Sequence, residues 1–100
     1  MLRELINGTL EEQEYLNINN VTILYFRLPK KVYGFIFSYH LYNIIVINAN
    51  ISLNEKKKTI LHELAHLELN HLYNKKELVE FNINGLEDEA DYYIKNILDN

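Results

Sequence analysis

The sequence predicts an α+β domain: a short N-terminal helix, a three-stranded, mainly antiparallel sheet, a long helix and a C-terminal helix. Three observations carry that prediction. Residues 21–48 hold three runs rich in β-branched and aromatic side chains, separated by turn-forming breaks. From residue 52 onward, apolar residues recur instead at spacings of three and four, the helical period. A length of 100 residues, without a repeat or a Pro/Gly-rich linker, fits one domain over residues 1–100.

In chain order, Thr9 and Glu12 stand three apart, the spacing of a capping box, and predict a short helix from Leu10 to Leu16. "NINN" (17–20) reads as a loop and "VTILYFRL" (21–28) as a strand. Pro29 and two lysines turn the chain into a second strand, "VYGFIFSY" (32–39). "HLYN" turns it again into "NIIVIN" (43–48), whose unbroken apolar run predicts burial on both faces. Ser52 and Glu55 form a second capping-box pattern that starts a helix at about Leu53. Ile60, Leu61, Leu64, Leu67 and Leu72 carry that helix to about Tyr73. "NKKELVEFNING" (74–85) reads as a polar connection. The last helix is expected from about Leu86 to Leu98, with Ala90, Tyr93, Ile94, Ile97 and Leu98 on one face.

Composition excludes several classes of function. With 48% hydrophobic and 12% aromatic residues, the chain is too apolar to remain disordered. Cysteine is absent, which rules out disulfides and every thiolate zinc site. Any metal has to be held by histidine and carboxylate, a donor set that favours a catalytic site over a structural one. The formal charge is −4 and positive charge clusters only at Lys56, Lys57 and Lys58, which argues against direct nucleic-acid binding. The longest apolar run, "IIVI", is strand-sized, far below the roughly 20 residues of a membrane helix. The N-terminal stretch has no apolar signal-peptide core. The expectation is a cytoplasmic protein with no membrane partner.

Within "TILHELAHLELNH" (59–71), His62, Glu63 and His66 spell H-E-x-x-H. Residues four apart on a helix lie roughly 6 Å from each other on one face. Both imidazoles can therefore turn towards one ion, at about 2.0–2.1 Å each. Glu63, beside that axis, can reach a water activated by the ion without being a ligand, and take its proton as it attacks a carbonyl. It can then pass the proton to the leaving amine. Two histidines in a Glu- and Leu-rich helix also fit a plain solvated stripe, so a third ligand decides. "GLEDEADYY" supplies one: Glu87 and Asp91 are four apart, on one face of the last helix. Glu87 completes a ligand set of two histidines and a glutamate, with an open fourth position. Asp91 can accept the free ring N–H of a ligand histidine. Glu89 competes for the third place, and the helix dipole alone favours acids in a first turn. The E-x-x-x-D spacing favours Glu87.

The run "YNIIVINANISLNEKKKTILHELAHLELNH", followed by "EDEADYYIKNIL", resembles the ImmA/IrrE family of metallopeptidases over about residues 32–98. That family shows a strand ending in I-x-I-N, a helix with H-E-L-x-H, and later E-x-E-A-[ND]-x-[FY]. Here "IVIN" ends at Asn48, "HELAH" spans 62–66 and "EDEADYY" spans 87–93. The wider class is the gluzincins, whose pattern matches His62, Glu63, His66, Glu87 and Asp91. The resemblance implies a minimal zincin-like fold and zinc endopeptidase activity. It implies one Zn2+ per chain on His62, His66 and Glu87, Glu63 as the catalytic base, and a protein substrate. For several members that substrate is a helix-turn-helix repressor of a phage or mobile element. The chain departs from the family at Ala65, where many members have Gly, and at His71, one residue later than the family's further histidine. Most members continue past the last helix. This chain stops at Asn100 and is therefore expected to be the catalytic core alone, with substrate selection absent or supplied by another protein.

Other residues have two readings each. His40 and His71 can polarise a carbonyl or hold an oxyanion, but a hairpin cap for His40 and a helix C-terminus for His71 are the favoured readings. Tyr39 and Tyr73 are candidate oxyanion donors among eight tyrosines that otherwise fit as packing residues. Lys56–Lys58 fit a solvated helix face. An extended substrate is expected to pair with a sheet edge; "NIIVIN" suits a central place, leaving 21–28 or 32–39 at the margin. Two rival functions stay open. A binding module keeps the metal and sequesters a repressor or another partner, and the intact Glu63 argues against it. A structural zinc merely staples two helices, but three protein ligands are one short of the usual four.

Overall fold

Ser52 fixes the start of the longest element, because its Oγ accepts the amide of Glu55 at 3.1 Å. The computed structural model describes residues 2–73, 75 and 77–99; Asn74 and Lys76 of the expected polar connection lie outside the described residues. In chain order come α1 (Leu2–Ile6), α2 (Glu12–Ile18), β1 (Val21–Phe26), β2 (Val32–Tyr39), β3 (Tyr42–Asn48), α3 (Leu53–Leu72), β4 (Leu78–Ile83) and α4 (Glu89–Leu98). The α+β class holds, and α3 matches its expected bounds closely.

Three expectations are corrected. The single N-terminal helix expected over 10–16 is α2, displaced to Glu12–Ile18, and a further short helix, α1, precedes it at Leu2–Ile6. Thr9 does not cap the second; its hydroxyl donates to Asn7 Oδ1 at 2.8 Å, and α2 starts after Glu11 without a side-chain cap. The sheet has four strands in the order β1-β3-β2-β4, with β1 parallel to β3 and β2 antiparallel to both of its neighbours. Asn48 explains the crossover from β1 to β2. Its Nδ2 donates to the carbonyl of Val32 at 2.9 Å and of Leu28 at 3.3 Å, so the connection is tied down over the end of β3. The third correction is β4 itself, which lies inside the stretch read as a polar connection.

The helices pack on one face of the sheet. Ile36, Ile45 and Ile47 point inward and meet Leu64, Ala65 and Leu67 of α3, with Tyr15 and Leu16 of α2 and Ala90, Ile94 and Ile97 of α4 completing the core. Glu68 joins the layers: one oxygen accepts the amide of Leu2 at 2.8 Å, the other the hydroxyl of Tyr93 at 2.7 Å. β3 is central and largely buried on both faces, as expected: Ile45, Val46, Ile47 and Asn48 are all buried, although the helices cover only its inward face. Among the described residues, no helix is long and apolar enough to cross a membrane.

Gly34 lets α3 approach the sheet. A Cβ there would lie 2.7 Å from the carbonyl oxygen of Val46 and 3.0 Å from Cγ2 of Thr59 on α3. A backbone carbonyl cannot step aside, so Gly34→Ala should destabilise the fold by about 1–3 kcal/mol, the usual cost of overpacking. Urea denaturation measures it; an unchanged midpoint would contradict the close approach.

Candidate metal centre

The buried face of α3 carries polar groups at its centre. His62, Glu63 and His66 are 3%, 0% and 5% exposed, among leucines of the core. The two imidazoles lie 4.8 Å apart at a steep angle of 68°. Across from them, α4 begins after Asp88, an N-cap in extended conformation. Asp88 divides its carboxylate: Oδ1 accepts the amide of Ala90 at 2.9 Å, and Oδ2 lies 2.8 Å from His66 Nε2 and 3.4 Å from His62 Nε2. Asp91 completes the capping box by accepting the Asp88 amide at 3.0 Å, and both its oxygens are 3.1 Å from His62 Nδ1. His62 Nδ1–H therefore faces a carboxylate, which leaves its Nε2 as the free donor atom.

His62, His66 and Asp88 each offer a donor atom, and these atoms all lie within 4.8 Å of one another. Glu87, expected as the third ligand, is not brought to this group. Its side chain is half exposed and lies 3.7 Å from Lys95 Nζ on the surface. The physical reason is the helix start: α4 begins at Glu89, so Glu87 precedes the helix and the face relation assumed for E-x-x-x-D does not hold. Glu89 lines the cleft beside His66. Glu80 of β4, a residue the sequence reading did not single out, lies 3.8 Å from His66 Nε2. The signal for Asp88 was present, since Asp88 and Asp91 have capping-box spacing and mark a helix start after Asp88.

Two buried groups at the heart of the centre have no hydrogen-bond partner among the described residues. His62 Nε2 makes no hydrogen bond, and neither oxygen of Glu63 has a partner. Burial pushes the Glu63 carboxyl up to about 9, assisted by the negative charges of Glu80, Asp88 and Asp91. An orphaned imidazole nitrogen facing a second imidazole and a carboxylate fits a divalent ion that prefers nitrogen and oxygen donors.

Shallow clefts flank the group. One of about 220 Å³ is lined by His62, Tyr33, Lys58, Asn82 and Asp91, and another of about 260 Å³ by His66, Tyr73, Glu80 and Glu89. β4 borders both. His40 and His71 line a different cavity, of about 370 Å³, with Ser38, Asn43 and Asn70. Tyr39 projects from the sheet against the ring of His40, 4.1 Å away.

Two buried helix histidines, a facing carboxylate and an unpartnered glutamate between them define a centre of metallopeptidase type. The family model for the IrrE N-terminal-like domain, Peptidase_M78, matches residues 17–94, and the chain belongs to that family. No curated protein and no solved structure matches the chain.

Glu63 makes the metal-free protein sensitive to pH. The folded chain keeps a proton that the unfolded chain releases near pH 4.5, so the associated stability is complete below that pH and is lost as pH rises to about 9. Thermal melts with a chelator present should show this fall, and Glu63→Gln should remove most of it. A parent melting temperature that is flat across the window would contradict the buried, unpartnered placement.

Proposed function

We propose that the chain is a cytoplasmic zinc endopeptidase domain that hydrolyses a peptide bond of a protein substrate. His62, His66 and Asp88 hold one Zn2+, Glu63 is the catalytic base, and Asp91 positions His62. The observation that carries this reading is Glu63, a buried carboxylate with two free oxygens beside converging metal donors. Asp88 takes the role that the gluzincin pattern assigns to Glu87.

When bound, the ion supplies Lewis-acid polarisation of the scissile carbonyl and activation of water. Everything else falls to the chain. Glu63 accepts the proton of the attacking water and delivers it to the departing amine. The desolvated site strengthens each of these electrostatic interactions. Asp91 holds the His62 ring through Nδ1 and so fixes which nitrogen faces the ion.

The substrate is read as an extended segment along β4. That strand is at the sheet edge, borders both clefts, and carries Glu80 next to His66. The edge offers unpaired backbone groups to a peptide strand. Asn82, buried on β4, adds a side-chain oxygen that has no partner. Of the two margins expected from sequence, β1 is the other edge of the sheet but lines neither cleft, whereas β2 lies inside the sheet beside β4. Tyr73 stands in the cleft wall as a candidate oxyanion donor. A helix-turn-helix repressor of a phage or mobile element is the substrate class that family resemblance favours.

Elemental analysis of protein purified without chelators tests the ligand set. About one zinc per chain is expected, lost in Asp88→Ala and retained in Glu87→Ala. The opposite pattern would return the third place to Glu87, and no metal in the parent would sink the peptidase reading. Asp91→Asn should weaken zinc binding about 10–100-fold. Glu63→Gln should keep the metal and lower hydrolysis of an unfolded protein substrate by about 10²–10⁴-fold; full activity in that variant would rule out Glu63 as the base.

A further inference from the structure

The two clefts beside the metal centre differ in charge. On the His62 side Glu55 and Lys58 balance each other, and Asp91 is held between His62 and the amide of Asp88. On the His66 side Glu77, Glu80 and Glu89 line the cleft of about 260 Å³, against one ammonium among the described residues, that of Lys75. This lysine lies over the ring of Tyr73, its Nζ 5.9 Å from the ring centroid, and pairs with none of the three carboxylates. Glu80 reaches His66 Nε2 at 3.8 Å, whereas Glu77 and Glu89 make no ion pair among the described residues.

Exposed carboxylates alone specify no ligand; a buried group in the wall does. Asn70, 5% exposed, stands between this cleft and the cavity of His40 and His71. Its Nδ2 donates to the carbonyl of Lys75 at 3.1 Å, while its Oδ1 has no partner among the described residues. A buried amide oxygen left without a hydrogen bond is unfavourable, and an N–H donor entering the cleft relieves it. Leu69 and Leu78 add apolar wall, along which a long aliphatic stem packs while its charged end stays among polar groups. The cleft has room for roughly eight waters at about 30 Å³ each, enough for one long side chain.

We propose that this cleft is the subsite for a basic side chain of the substrate, on the His66 side of the scissile bond. This rests on the peptidase reading above and adds which peptides the centre takes. β4 supplies the geometry. A peptide paired to its edge presents alternate side chains to one face, and Glu80 of that strand stands in the cleft beside His66. Arginine suits the cleft better than lysine, because its planar guanidinium offers enough N–H donors for a carboxylate and for Asn70 Oδ1 together. An acidic side chain in the same place meets three like charges.

Binding is measured without turnover, by proton–nitrogen NMR of the full chain as Nα-acetyl-arginine amide is added. Nα-acetyl-citrulline amide, of the same shape but neutral, is the control. Backbone signals of Asn70, Glu77, Glu80 and Glu89 should shift with the arginine compound, and the citrulline compound should bind about tenfold more weakly or worse. Glu77→Gln combined with Glu89→Gln, both exposed positions, should weaken arginine binding about 3–10-fold. Casein cut by the zinc-loaded chain and mapped by mass spectrometry should carry arginine or lysine at one fixed distance from the cleaved bond, about tenfold above its share of casein. That enrichment should fall in the double variant. Equal binding of the two amides, or shifts confined to other residues, would overturn the subsite, and so would cleavage with no basic preference. Arginine binding in this cleft with casein left intact would support the subsite and count against the peptidase reading instead.

Discussion

A carboxylate buried in the core without a hydrogen-bond partner is the constraint on which the structure turns. Glu63 is fully buried, both its oxygens are free, and the charges acting on it, from Glu80, Asp88 and Asp91, have its own sign. Taking an ionised carboxylate out of water costs several kcal/mol even after the surroundings relax. The chain has two ways out: Glu63 keeps a proton, or a cation enters among the donors opposite. On the proposed reading, a divalent ion held by His62, His66 and Asp88 would reverse the local electrostatics and let Glu63 ionise. Stability and the proposed catalysis would then depend on the same ion.

The rest of the fold serves that arrangement with few residues. Asp88 and Asp91 start α4 as a capping box, and the same two carboxylates face His66 and His62. Formation of the helix end and orientation of the two imidazoles are therefore one event. Gly34 gives α3 the clearance to lie close on the sheet, and Glu68 holds α1 and α4 against α3. β4 closes the layer on the other side and sets Glu80 and Asn82 towards the centre.

The central helix was legible because several local signals agree there. Ser52 caps it, leucines repeat at its period, and His62, Glu63 and His66 stand at a spacing that only a helix brings to one face. β4 was not, although Val79–Ile83 alternates strictly. Glu80 and Asn82 face inward to the site and Val79, Phe81 and Ile83 outward, with only Leu78 reaching the core, which inverts the usual meaning of alternation and makes the segment look like a loop. The parallel pairing of β1 with β3 is fixed by Asn48 holding a crossover, a contact between residues 16 to 20 apart that no local pattern announces. Glu87 and Asp88 exchange places for a similar reason. A three-residue error at the start of α4, expected at about Leu86 and found at Glu89, is ordinary for a boundary read from sequence, yet it decides which carboxylate faces the histidines.

The most direct test is long-range proton–nitrogen NMR of the imidazoles as zinc is added to the metal-free protein. The account predicts that the Nε2 signals of His62 and His66 move to the range of coordinated nitrogen at one equivalent. His62 Nδ1 should stay protonated towards Asp91, and His40 and His71 should not respond. Unchanged His62 and His66 signals, or a response confined to His40 and His71, would contradict a metal centre on α3.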